Sequence, residues 1–375
     1  MNTKNIKAKK KYLILSAIAV LALGACSKND INEDAGRNNA IGFNSYTSRS
    51  LTKADPDYFV NAANFTGITN PAIGVYAYRI PKPGNFAGTE NAAFMENIKV
   101  TLKNNGDDAS INYTPLRYWP KNGDKITFFS YYPYNGAGIT LTNAGKSGLG
   151  KFTFAVQANA ADQIDFMVAD AKPDMTFSTA DVVSGENGVV KFMFKHMLSQ
   201  VRFYVQTAKD YSDASYDNTT ITLNALTLKN VKKSGDLAAT YSSPSTTTAW
   251  QNLGTKGDFE VVSSDVTLST TPQLCADGAV ASTAKEGIYL MIPQDLAFAP
   301  DTVKVYIKYT IKTGTHPDTA TDTYEETIPI RTEAVEEWNK NNNIKYTFKI
   351  GPNPIQFAAV VTEWEDETDV SFTIN

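Results

Sequence analysis

Apolar and polar residues alternate with a period of two along most of the chain, which puts successive side chains on opposite faces of a strand. Residues 40–47 set Ile41, Phe43 and Ser45 against Gly42, Asn44 and Tyr46. Ala72–Ile80 is a second strand, bounded by Pro71 and by Pro81-Lys82-Pro83-Gly84. Residues 97–103 and 109–114 alternate on either side of Asn104-Asn105-Gly106-Asp107-Asp108, which predicts a hairpin. A turn over 119–124 precedes Lys125–Tyr132, with Ile126, Phe128, Ser130 and Tyr132 on one face and Thr127, Phe129 and Tyr131 on the other. Residues 151–156 and 165–169 add two more strands. This spacing of short strands suits a sandwich.

Ser184-Gly185-Glu186-Asn187-Gly188 is a cluster of turn formers between apolar runs, and marks the expected division between two domains. Beyond it, strands are expected at 189–194, 198–206, 221–228, 287–293, 302–311, 323–331, 344–350, 355–361 and 369–374. In 221–228 the pattern sets Ile221, Leu223, Ala225 and Thr227 against Thr222, Asn224, Leu226 and Leu228. Lys232-Lys233-Ser234-Gly235-Asp236 reads as a turn, and the Ser/Thr stretch 243–248 as a loop. One short helix is expected at 332–339, with Glu333, Glu336 and Glu337 near its start. The chain thus reads as two all-β sandwiches in tandem, 40–185 and 186–375.

The first 39 residues break the pattern. Lys4, Lys7, Lys9, Lys10 and Lys11 precede an apolar run over 12–23, then Leu23-Gly24-Ala25-Cys26. A charged start, a short apolar middle and small residues at the cut make a secretory signal peptide over 1–25. The run is about a dozen residues, against roughly 20 for a membrane crossing. The four closing residues resemble the lipobox of bacterial lipoproteins, with Cys26 as the acylated first residue of the mature chain. Buried acyl chains contribute about 0.8 kcal/mol per CH₂, so several of them anchor firmly. Residues 26–39 are polar and read as a flexible tether.

Charge and cysteine content narrow the class. The whole chain has 35 Lys+Arg and 39 Asp+Glu, and five of those lysines belong to the leader. The acidic mature chain argues against nucleic acid as a partner. With Cys26 assigned to lipid, Cys275 is unpaired and no disulfide framework holds the fold. Candidate chemistry is sparse. His196 and His316 are the two histidines, and neither has a nucleophile or second ligand at a recognisable spacing. Asp107-Asp108 and Glu363-Trp364-Glu365-Asp366 lack the spacing of a Ca²⁺ loop. No Gly-rich phosphate loop occurs. No enzyme activity, metal or cofactor is expected. Tyr131, Tyr132 and Tyr134 are close enough to form a sugar-stacking platform, although alternation puts part of the set in the core.

Assembly chemistry is better supplied. A sheet edge accepts a strand from another chain through main-chain ladders, with alternate side chains filling pockets. The closing segment 369–375 places Val370, Phe372 and Ile374 on one face. It is patterned either to be donated or to close its own domain. Arg49 lies in the polar loop 48–56, where proteolytic nicking concentrates.

The chain resembles the Bacteroidales fimbrillin-like proteins. The resemblance begins with Ala40-Ile41-Gly42-Phe43 and Ser48-Arg49 after the lipobox, then Ile73-Gly74-Val75-Tyr76-Ala77-Tyr78. It continues through Tyr118-Trp119-Pro120, the run from Ile126 to Tyr134, Gln163 with Asp165, and Phe194-Lys195-His196-Met197-Leu198-Ser199-Gln200-Val201. Trp338, Tyr346, Ile350-Gly351, Ile355, Phe357, Val361 and Trp364 close it. The resemblance implies two sandwiches of transthyretin-like Greek-key topology in a pilus subunit that travels as a lipoprotein to the outer membrane. It further implies cleavage after the first strand by an arginine-specific protease, with a neighbour's strand filling the vacated groove. Carried over, Arg49 is the cleavage candidate, residues 40–47 the strand lost, and Val370, Phe372 and Ile374 the donor. The implied partners are other fimbrial subunits, the outer membrane through the lipid, and a host or bacterial surface ligand. The alternative is a surface lipoprotein that binds glycan or a host ligand through its tyrosines without polymerising.

Overall fold

The computed structural model describes residues 39–47, 72–88, 93–102, 112–142, 148–183, 186–254, 256–280, 287–297, 302–315, 317–352 and 355–363. These residues form a nearly all-β fold. In chain order the strands begin β1 (Gly42–Thr47), β2 (Ala72–Ile80), β3 (Ala93–Thr101), β4 (Lys125–Tyr132), β5 (Ile139–Thr142), β6 (Gly150–Ala155), β7 (Met167–Ala169), β8 (Lys172–Met175) and β9 (Asp181–Val183). They continue with β10 (Glu186–His196), β11 (Ser199–Thr207), β12 (Thr220–Lys232), β13 (Ser234–Ser242), β14 (Ser245–Gln251), β15 (Lys256–Val262), β16 (Val266–Thr267), β17 (Gln273–Ala276) and β18 (Ala279–Val280). The last are β19 (Tyr289–Met291), β20 (Gln294–Asp295), β21 (Lys304–Thr315), β22 (Asp318–Pro329), β23 (Glu337–Trp338), β24 (Asn342–Ile350) and β25 (Gln356–Glu363).

The largest sheet has the order β1-β10-β7-β4-β2-β3, with β8 beside β4 and β9 beside β10. It is buried on both faces. One face carries Ile41, Phe43, Ile73, Val75, Ile126, Phe128, Val190, Phe192 and Phe194. The other carries Tyr76, Tyr78, Phe129, Tyr131 and Val168, packed with Phe152, Phe154, Leu237 and Ala239 of the sheet β14-β13-β6-β5. This is the first sandwich. In the second, β18-β17-β11-β24-β25 faces β15-β12-β21-β22. Val201, Phe203, Ile344, Tyr346 and Phe348 meet Ile221, Leu223, Leu226, Leu228, Val305 and Ile307 in its core. The expected division at 185/186 falls in the connection between β9 and β10, which pair with each other.

Five expectations change. The 332–339 helix is absent: Thr332 and Val335 close a turn by mutual backbone bonds of 3.0 and 3.2 Å, and Glu337–Trp338 then pairs with β20. Val335 and Trp338 are both buried, and an extended path delivers the indole N–H to the Tyr346 hydroxyl at 3.0 Å. The Ser/Thr stretch 243–248 turns at its start and then forms β14, where β-branched threonines suit the ladder to β13. The expected 232–236 turn shrinks to Lys233 between β12 and β13. In β12 a register shift between Leu223 and Ala225 moves Leu226 and Leu228 to the core face, because a bulge reverses the alternation. In the expected 97–114 hairpin, Thr101 N–H donates to Asn112 O at 3.1 Å, but 112–114 is not a strand.

Candidate functional site

The site is the groove that β1 fills. β1 runs parallel to β10, from Gly42 opposite Val189 to Thr47 opposite Phe194, and it ends the sheet. Alternation aims Ile41 and Phe43 into the core, where both are fully buried. The Phe43 ring stacks on Phe192 at 6.0 Å and 4°. Phe128 at 5.9 Å and Tyr113 at 5.4 Å present edges to it. Burying two such side chains contributes about 1.5–3 kcal/mol each.

The segment before β4 clamps the start of β1. Ile41 N–H donates to Arg117 O at 2.9 Å, Trp119 N–H donates to Asn39 O at 3.0 Å, and Ala40 bridges Tyr118. The Tyr113 hydroxyl donates to Ile41 O at 2.9 Å; burial pushes its pKa up to about 12, so it keeps its proton. Trp119 also reaches the neighbouring strand, with its indole N–H donating to Gly188 O at 2.9 Å. Gly188 has φ +76°, and a Cβ there would lie 2.8 Å from the Trp119 Nε1. One tryptophan therefore fixes both β1 and the strand that β1 lies on. In sequence Gly188 reads only as a turn residue, and Trp119 as the start of a turn. Their partnership spans 69 positions. The tryptophan inside Tyr-Trp-Pro was the signal available.

The other candidates resolve as follows. Cys26, Arg49, His316, Val370, Phe372 and Ile374 lie outside the described residues. The tyrosine platform does not form: Tyr131 and Tyr132 are 1% and 2% exposed. The sheet that holds them is covered on both faces, and the Tyr131 hydroxyl is spent on Asn97 Oδ1 at 2.9 Å. His196 Nδ1 lies 2.5 Å from Asp165 Oδ2, pinning the end of β10 to the segment before β7. Cys275 is buried in the second core, and burial pushes its thiol up to about 12. Among the described residues, no three His, Cys, Asp or Glu are grouped to hold a metal ion. No helix among them is long and apolar enough to cross a membrane. The groove offers a main-chain ladder and two apolar pockets, which is chemistry for holding a strand.

Known proteins match this architecture. The Fimbrium subunit Fim1C of Phocaeicola vulgatus is 30% identical over 200 residues, covering 50% of this chain and 49% of its own. The chain thus spans about half the length of that curated relative. A crystallised fimbrial protein from Bacteroides vulgatus shares the fold at a TM-score of 0.60 and 21% identity, over 87% of this chain and all of the other. The family model described as fimbrillin-like matches residues 61–364, and the chain belongs to that family.

Proposed function

We propose that this chain is a cell-surface pilus subunit assembled by strand exchange. It is exported to the outer membrane as a lipoprotein on Cys26, cut at Arg49 and closed again by a strand from a neighbour. The observation that carries this is β1: a terminal strand of the largest sheet, parallel to β10, with Ile41 and Phe43 seated in the core. Arg49 lies two residues past its end. A cut there leaves β1 held by non-covalent contacts alone. Its loss uncovers the β10 edge and two apolar pockets, both costly to leave in water. Val370, Phe372 and Ile374 supply an alternating set of matching size. The reading includes no catalysis, metal or cofactor, and leaves no exposed Tyr131 or Tyr132 for a glycan.

The test compares chain 50–375 with the untrimmed chain by sedimentation and electron microscopy. Trimmed protein is expected to polymerise, and Phe372→Asp to stop it. A trimmed monomer, or polymers indifferent to Phe372→Asp, would sink strand exchange.

A further inference from the structure

The two ends of the molecule carry opposite charge. β10 runs from the start of β1 down to His196, and only Met197 and Leu198 precede β11. At that waist, Trp250 Nε1 donates to Met197 O at 2.8 Å and Asn341 N–H to Leu198 O at 3.0 Å. β11 then continues to Thr207, whose partner Ile350 marks the far end of the second sandwich. A nine-residue strand is about 30 Å long, so each sandwich adds roughly that height.

Strand register places the charges. Ile80 pairs with Lys125 at the level where β1 begins, seven residues along β4 from Tyr132 and the waist. Register puts Arg79 and Lys125 at that level, Lys82 lies against Gly123 in the turn that also carries Lys121, and Arg117 O takes the Ile41 N–H at the start of β1; Arg79 is ion-paired with Asp124 at 2.8 Å. The acids among the described side chains are Asp124, Asp174 and Asp181, and each is engaged within the fold. Asp124 takes the Arg79 guanidinium and the Lys82 amide, Asp174 the Phe86 amide, and Asp181 the Lys191 amide. At the other end, Asp318 pairs with Thr315, Asp322 with Ile311, and Gly314 N–H donates to Asp217 O at 2.7 Å. Asp210, Asp213, Asp217, Asp318 and Asp322 are all exposed there, against Lys209, Lys312 and the half-buried Lys349. Lys209 is engaged, lying 4.0 Å from the Tyr216 ring centre.

Apolar exposure is greater at the basic end. The described exposed large hydrophobics are Leu116, Tyr118, Phe177, Tyr216 and Tyr324. Leu116 and Tyr118 flank Arg117 at the basic end. Phe177 lies beside Gly188 at that end, and Tyr216 sits at the acidic end.

We infer that the basic end of one copy of this chain docks on the acidic end of another, so that charge sets the polarity of the row. Like ends repel and unlike ends attract, which makes the contact heterologous and open-ended. It goes beyond strand exchange and requires no cleavage: the basic end adjoins the clamp on the start of β1 through Arg117 and Tyr118, and the Phe43 site against Phe128 and Phe192 stays filled. The field reaches about 30 Å at 0.01 M salt and about 10 Å at 0.1 M, so it acts before side chains touch.

The test uses the uncut mature chain from residue 26 with Cys26→Ser, in which β1 fills its groove. Self-association by sedimentation is expected at low ionic strength and lost on raising salt. Lys82→Glu with Lys121→Glu, or Asp213→Lys with Asp318→Lys, should each weaken it at least about tenfold. An equimolar mixture of the two double variants should associate again, since each then offers what the other lacks. Absence of salt-sensitive association, indifference to both pairs, or no recovery on mixing would overturn the inference. Circular dichroism controls for folding, and these substitutions are all at exposed positions. Polymerisation of trimmed chain 50–375 that survives both double variants would leave strand exchange standing and remove the end contact alone.

Discussion

The two sandwiches finish their sheets in opposite ways. In the second, β22 follows β21 after two residues and pairs with it over its whole length, while β25 returns beside β24 after a short connection. At these two edges, neighbours in the sheet are neighbours in the chain. In the first, residues 42–47 pair with 189–194, and the chain reaches β2 only at residue 72. The edge of the second sandwich is also shallow, since β22 is exposed over most of its length. The edge of the first is deep, with Phe43 touching Tyr113, Phe128 and Phe192. One cut between β1 and β2 therefore separates a core-filling strand from everything it stabilises. No single cut does that to β22.

The widest gap between the two edges should appear on truncating one side chain in each. Phe43→Ala empties a fully enclosed site, and such changes cost about 3–5 kcal/mol. Ile328→Ala, at a half-buried position on β22, should cost about 1 kcal/mol. Urea unfolding of the uncut chain reads both. Equal costs would mean that β1 is no more embedded than an ordinary edge.

A smaller effect tests the clamp. Gly188→Ala puts a methyl into the Trp119 contact at a φ that L-residues rarely adopt, for about 1–3 kcal/mol. The loss should be greater in the uncut chain than after removal of 1–49, because Trp119 also holds Asn39. A loss of equal size in both forms would show that the tryptophan supports β10 without securing β1.

Strand positions were legible where local chemistry sufficed. Ala72–Ile80 and Lys125–Tyr132 end where sequence places them, between prolines and turn formers. Alternation also oriented Ile41 and Phe43 correctly. It misled where a second layer decided the outcome. Tyr131 and Tyr132 lie on opposite faces of β4, and a period of two cannot tell that both faces are covered. It failed again at β12, because one bulge exchanges the faces beyond it. The parallel pairing of β1 with β10 is a long-range fact, and no window of sequence contains it. The resemblance nominated residues 40–47 as the strand to be lost; the geometry shows how deeply Ile41 and Phe43 sit.

The smallest expected change concerns Cys275, which asks whether vacating the first sandwich disturbs the second. The thiolate is the reactive form of cysteine, and a thiol pushed up to about 12 has almost none at pH 8. Its side chain is closed within the second core, among Phe203, Tyr289 and their neighbours. In chain 50–375 it is the sole cysteine, since Cys26 is gone. A thiol reagent should label that chain at least about a hundredfold more slowly in buffer than in strong urea. Trimmed and uncut Cys26→Ser protein should react at the same slow rate, because β1 touches only the first core. Fast labelling on trimming alone would mean that removing one edge strand loosens both sandwiches together, and the contrast between a detachable edge and a fixed one would then describe a single cooperative unit.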